Sequence, residues 1–126
     1  MKQIFLYAGQ GSQTVGMGKD LYETYPEFKN EIDKLEAVLP FSVKELMWQG
    51  PEEKLMQTEY TQPCMAAFAV GLTAVLKAHG IVPDASAGLS LGEYGALYAA
   101  GVWSAEDYVK TVAFRGQAMA DAVKGL

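Results

Sequence analysis

The chain has 126 residues, half of them hydrophobic and 20% charged, with a formal net charge of −5. That length suits one domain with one core, the composition excludes a disordered chain, and ten scattered basic residues on an acidic chain exclude a nucleic-acid-binding surface. The single cysteine, Cys64, excludes a disulfide framework and a zinc cluster, and reads as a small core residue in a reducing cytoplasm.

Lys2 and a brief apolar run open the chain. The run is too short for a signal peptide or a bilayer span. Ile4-Phe5-Leu6-Tyr7-Ala8 predicts a strand buried on both faces of a parallel sheet. Gly9-Gln10-Gly11-Ser12-Gln13 follows at once. A dinucleotide fingerprint fails, because Thr14 stands where the third glycine belongs. A phosphate loop fails too, because Met17 stands where lysine is required. What remains is a tight loop at a strand end, either a place for an anion or oxyanion donor or a plain connection.

Helices are predicted over 20–25 and 26–39, with Pro26 at a first turn and Phe28, Ile32, Leu35 and Leu39 on one face. Short helical pieces over 43–48 and 52–56 are broken by Gly50-Pro51. Thr61-Gln62-Pro63 opens the next helix, with Thr61 or Gln62 near its cap. Met65, Phe68, Leu72 and Leu76 form its stripe, Gly80 ends it, and the segment packs between a sheet and another layer. His79, the only histidine, reads as helix-end chemistry rather than as a general base. The connection from Gly80 to Pro83 leaves it near the amino end of the next strand, about 15–20 Å from that strand's far end.

That second strand lies near 84–89 and runs into Gly88-Leu89-Ser90-Leu91-Gly92. This is Gly-x-Ser-x-Gly, a nucleophile-elbow pattern, and an Ala- and Leu-rich helix over 91–100 with Gly101 after it follows. Strand, tight turn and helix would project the Ser90 hydroxyl over a helix N-terminus whose free N–H groups favour an oxyanion. An ordinary glycine-flanked turn is the alternative. The last helix runs from Ser104 to about Val123, with a Ser104–Asp107 capping box and a stripe of Tyr108, Val112, Met119 and Val123. Arg115 falls within that stripe. An inward guanidinium needs a partner. Either it pairs with a core carboxylate, or it awaits the carboxylate of a substrate, which arginine grips as a bidentate fork.

The Gly9–Gln13 loop, the stretch Gly88 to Tyr94 and Arg115-Gly116, in that order, resemble the malonyl-CoA:acyl-carrier-protein transacylase family over essentially the whole chain. Gln57, Thr61, Gln62 and Pro63 also resemble the family's stretch ahead of its long helix. Met1, a few residues before the loop, makes the likeness nearer the stand-alone bacterial type than a polyketide-synthase module. The resemblance implies an α/β-hydrolase-like acyltransferase core, three-layered with a parallel sheet. It implies a ping-pong transfer in which Ser90 takes malonyl from coenzyme A and passes it to the phosphopantetheine thiol of acyl carrier protein. The backbone N–H groups of Gln10 and Leu91 would form the oxyanion hole. Arg115 would hold the malonyl carboxylate, and Gln62 and Met119 would line the site. No metal and no bound cofactor are expected, and the enzyme is expected in the cytoplasm. Leu89 departs from the histidine most often found before the family's serine, which alters packing at the elbow and not the base.

The family's general-base histidine and its ferredoxin-like subdomain lie beyond residue 126. Two strands cannot support so many helices, so residues 1–126 read as the N-terminal portion of one acyltransferase domain, inactive alone, with apolar sheet edges that another chain could cover. A serine esterase on a similar fold, or a non-catalytic fragment that binds acyl carrier protein, are the competing classes.

Overall fold

The computed structural model describes residues 1–126. In chain order the elements are β1 (Ile4–Tyr7), α1 (Lys19–Thr24), α2 (Pro26–Val38), α3 (Val43–Trp48), α4 (Glu52–Leu55), α5 (Thr58–Ala78), β2 (Ala85–Gly88), α6 (Leu91–Ala99) and α7 (Ala105–Ala122). The class is α/β, with a two-stranded parallel sheet pairing Ile4 with Ala85 through Tyr7 with Gly88. Asp84 sets that register from the side: its carboxylate accepts the Gln3 N–H at 2.6 Å just ahead of the first pair. No helix is long and apolar enough to cross a membrane.

The core is helical. Phe28, Ile32 and Leu35 of α2 meet Val43, Leu46 and Met47 of α3 and Cys64, Ala66, Ala67 and Val70 of α5, with Val109 and Val112 of α7 closing the cluster. α5 is the central element and packs on α2, α3, α6 and α7. Gly71 is required there, since a Cβ would lie 2.6 Å from the Phe28 ring. Tyr25, which joins α1 to α2, is extended (φ −115°, ψ 116°). A residue before proline is driven out of the helical region, and this splits one helical stretch into two. The loop after β1 is tied to α3, where Gly16 N–H donates to the Met47 carbonyl and Trp48 Nε1 to the Met17 carbonyl, at 2.6 and 2.9 Å.

Three expectations from the sequence are corrected. β1 is not buried on both faces: Ile4 is 64% and Leu6 79% exposed, and neither strand has a fully buried residue. α6 packs most closely on the pair, and α5 reaches β1 through a hydrogen bond between the Tyr7 hydroxyl and Thr73 Oγ1 at 2.7 Å. The helix expected to open at Thr61 begins at Thr58, with Gln57 as its N-cap and Pro63 inside it. Pro63 gives no N–H to the helix, and the first turn is held independently by the Thr61 hydroxyl, which donates to the carbonyls of Leu55 and Gln57. The stripes are also narrower than expected. Phe68, Leu72 and Leu76 are half-buried and face β1 across an apolar cavity of about 520 Å³. In α7, Tyr108 and Val112 are buried, whereas Met119 and Val123 are exposed, because the last turns reach past the helical core.

Candidate active site

The site begins with a backbone problem at the carboxyl ends of the strands. Ser90 joins β2 to α6 with φ 56° and ψ −116°, the only non-glycine residue of the chain at positive φ. Such a conformation costs on the order of 1–3 kcal/mol and persists only where its surroundings enforce it. The enforcement is steric. A Cβ on Gly88 would stand 2.1 Å from the Gly92 carbonyl oxygen, and a Cβ on Gly92 would stand 2.1 Å from the Tyr7 carbonyl oxygen. Both strands therefore press against the first turn of α6, and Leu91, 2% exposed, anchors that turn in the core. Ser86 Oγ donates to the Ala96 carbonyl at 2.7 Å and fixes the same helix to β2.

Ser90 is exposed at the apex. The N–H of Leu91, first in its helix, has no acceptor within the protein, as expected at a helix N-terminus. The N–H of Gln10 also has none, while its neighbour Gly11 donates to Gln13 Oε1 at 2.7 Å. The loop carrying Gln10 passes beside the elbow, where the Leu89 carbonyl would lie 3.4 Å from a Cβ on Gly9.

α7 supplies the cation. Gly116 lets α7 touch the start of α5, since a Cβ there would lie 2.7 Å from the Thr58 carbonyl oxygen. That approach places Arg115 between two elements. Its Nη1 donates to Gln62 Oε1 at 2.8 Å, its Nη2 donates to Ser90 Oγ at 3.1 Å, and its guanidinium lies 5.2 Å from the centre of the Tyr94 ring. The salt bridges of the chain are Lys29–Asp33, Lys34–Glu31, Lys44–Asp33 and Lys124–Asp121. Arg115 is in none of them, which overturns its reading as half of a core ion pair. It is a half-buried cation whose partners are all neutral.

Gln62 is fully buried, and its Nε2 donates to Thr58 Oγ1 at 2.8 Å and to Met119 Sδ at 3.3 Å. Thr58 Oγ1 in turn donates to Gln10 Oε1 at 2.8 Å. The residues singled out in the sequence thus come together: Ser90, Arg115, Gln62 and Met119 through side chains, Gln10 through Thr58, and Leu91 as the residue after the serine. His79 stands apart as the C-cap of α5, its Nδ1 against the Val75 carbonyl at 2.8 Å and its ring edge-on to Tyr25. The cavity between β1 and α5 includes neither Ser90 nor Arg115 in its lining.

Two contributors escaped the sequence reading. Tyr94 lies inside the elbow stretch, but its place under the guanidinium depends on how α6 meets α7. Thr58 sits one helical turn before Gln62, a spacing that carries meaning only if both are helical, and the misplaced start of α5 concealed it.

The family model described as acyl transferase domain matches residues 4–125. The malonyl CoA-acyl carrier protein transacylase of Bacillus subtilis is 43% identical over 122 residues, covering 97% of this chain and 38% of that relative. The Synechocystis protein of the same name is 43% identical over 126 residues, covering all of this chain and 42% of its own length. The crystal structure of MCAT from Streptococcus pneumoniae superimposes with a TM-score of 0.93 at 46% identity, over 98% of this chain and 40% of that one. A malonyl-transacylase in complex with its type II PKS acyl-carrier protein gives 0.91 at 37% identity, again over 98% and 40%. The chain spans about two fifths of the length of these proteins. An elbow serine under a cation without a carboxylate, and a match that runs from residue 4 to residue 125, lead to one conclusion: the chain belongs to the acyl transferase domain family, and its whole length is similar to part of the malonyl CoA-acyl carrier protein transacylases.

Proposed function

We propose that residues 1–126 are the N-terminal portion of one malonyl-CoA:acyl-carrier-protein transacylase domain and supply its nucleophile and its acid-recognition group. Ser90 attacks the malonyl thioester, coenzyme A leaves as the thiol, and malonyl-Ser90 then passes its acyl group to the phosphopantetheine thiol of acyl carrier protein. The N–H groups of Gln10 and Leu91 receive the oxyanion of each tetrahedral intermediate. Arg115 holds the malonyl carboxylate as a bidentate fork, oriented by Gln62, with Met119 lining the pocket. The observation that carries this reading is the guanidinium of Arg115, held 2.8 Å from Gln62 Oε1 and 3.1 Å from Ser90 Oγ with no carboxylate of the chain paired to it.

The serine proton needs an acceptor, because an unassisted hydroxyl is a poor nucleophile at neutral pH. His79 is engaged at the far end of α5, so the base comes from outside residues 1–126, and this segment alone does not turn over. The proposed setting is the cytoplasm. A serine esterase would use the elbow but leaves Arg115 without a purpose, and a purely binding fragment leaves the strained serine without one.

Malonyl-CoA is incubated with this segment joined to the remaining sequence of the Bacillus subtilis relative, and Ser90 peptides are weighed by mass spectrometry. The expected result is a malonyl adduct on the Ser90 peptide that Ser90→Ala abolishes. An adduct that survives that substitution moves the nucleophile elsewhere. An adduct lost to water as fast as to a thiol identifies an esterase.

A further inference from the structure

Thr58 is the first residue of α5, yet its hydroxyl does nothing for the helix, whose N-cap is Gln57 with no side-chain cap bond. It spends its hydrogen bonds elsewhere. Arg115 Nη1 donates to Gln62 Oε1, Gln62 Nε2 donates to Thr58 Oγ1, and Thr58 Oγ1 donates to Gln10 Oε1, each at 2.8 Å. With the bond from Arg115 Nη2 to Ser90 Oγ, a continuous chain joins the serine elbow, α7, α5 and the loop after β1.

The direction of the chain as far as Thr58 is fixed from its Arg115 end. A guanidinium has only donors, so Gln62 must turn its carbonyl oxygen toward Arg115. That leaves the Gln62 amide nitrogen, a donor, for Thr58. The Thr58 hydroxyl accepts there and gives its one proton to Gln10 Oε1. Gln62 cannot be flipped without losing the bond from Arg115. Gln62 is fully buried, so a lost partner there would not be replaced by bulk water. Met119 Sδ, its other acceptor, is a weak one.

We propose that Thr58 is a positioning residue: its hydroxyl couples the Arg115 guanidinium to the Gln10 loop, so that the cation and the loop amide keep a fixed separation. A side chain at 58 with the same shape but no hydroxyl frees the Gln10 side chain and leaves the Gln62 amide nitrogen without its oxygen acceptor. The coupling is a property of this chain; only its catalytic consequence rests on the transacylase reading.

The coupling is tested by nuclear magnetic resonance on the 126-residue chain, following the Arg115 guanidinium nitrogens, the Gln62 side-chain amide and the backbone amides of Gln10 and Gly11. In Thr58→Val the separate Arg115 Nη signals should merge as the guanidinium loses its restraint, and the Gln10 and Gly11 amides should shift. Thr58→Ser, which keeps the hydroxyl, should restore both. Gln10→Ala cuts the chain from its other end and should perturb the Gln62 amide, which decides the matter if the valine variant does not fold. Unmoved Arg115 and Gln10 signals in Thr58→Val, or equal disturbance by serine and valine, would overturn the proposal. In the protein extended with the Bacillus subtilis sequence, Thr58→Val should lower kcat for malonyl transfer about tenfold with little change in KM, and the serine variant should recover it. An unchanged kcat overturns the catalytic role. Malonyl transfer that survives Ser90→Ala in the same protein sinks the transacylase reading instead and leaves the coupling to the resonance data.

Discussion

In the proposed reading Arg115 is the residue on which selectivity turns. Its neighbours Gln62, Ser90 and Tyr94 are neutral, so its charge is left for a ligand. Removing one member of a buried charge-assisted pair costs on the order of 2–5 kcal/mol, and each 1.4 kcal/mol is about tenfold. In the protein extended to its relatives' length, Arg115→Ala should therefore cut kcat/KM for malonyl-CoA by about 30-fold or more, while acetyl-CoA loses less or gains. Steady-state assays with both thioesters check this, and an equal loss for both would make Arg115 structural. Arg115→Lys should not rescue fully, because an ammonium is a point charge and cannot reach Gln62, Ser90 and a carboxylate in one plane.

At the scale of elements, the elbow is a close approach of three backbones. Gly92 is where α6 meets β1, and a methyl group there would have to displace the Tyr7 carbonyl from 2.1 Å. Backbone cannot yield as a side chain can, so Gly92→Ala should cost about 2–4 kcal/mol, read as a lower midpoint in urea unfolding. Gly88 is demanded locally, by the Gly92 carbonyl four residues on, whereas Gly92 is demanded by Tyr7 of the distant strand β1.

Asp33 makes a second link between elements. Its carboxylate receives Lys29 Nζ of α2, Lys44 Nζ of α3 and the Tyr22 hydroxyl of α1, at 2.7, 2.5 and 2.7 Å. Partial burial opposes its ionisation, but the hydrogen bonds from Lys29, Lys44 and Tyr22 outweigh it and hold the carboxyl well below its ordinary 3.8. A depressed carboxyl stabilises the fold above the unfolded-state value and loses that contribution as pH falls through the native one. Asp33→Asn should thus lower Tm at pH 7, and the gap from the unsubstituted protein should close as pH falls from about 4 toward 2. The effect is small because the group is largely solvated. Melting curves across that range check it, and a gap independent of pH would point to packing.

For the whole molecule, the proposed reading makes the site one half of a catalytic apparatus. Ser90, Arg115 and the free amides of Gln10 and Leu91 stand together, but the only histidine caps the far end of α5. The expected outcome is that protein shown by mass to end at Leu126 transfers no malonyl group at a measurable steady-state rate. Turnover near that of a full-length relative, lost in His79→Ala, would overturn this. Ile4 and Leu6 of β1 are exposed, and an apolar cavity of about 520 Å³ separates β1 from α5.

The elbow, the start of α7 and the buried face of α2 were legible because each follows from local rules: glycine at a close approach, a capping serine, apolar residues one turn apart. Ser104 accepts the amide three residues on, as its capping position implies, and Ser42, which the sequence reading passed over, does the same for α3. The likeness of the Gly9–Gln13, Gly88–Tyr94 and Arg115-Gly116 stretches identified the family. The start of α5 was misread because proline was weighed as a boundary, whereas the Thr61 hydroxyl and burial of the first turn overrode it. The burial of β1 was misread because an apolar run states what a strand can bury against and not what is there. Whether Arg115 was paired or free could not be read at all. Its nearest partners, Gln62 and Ser90, lie 53 and 25 residues away. Periodicity orders residues along one element, but only the packing of α5 against α7, and of both against the elbow, decides which side chains meet.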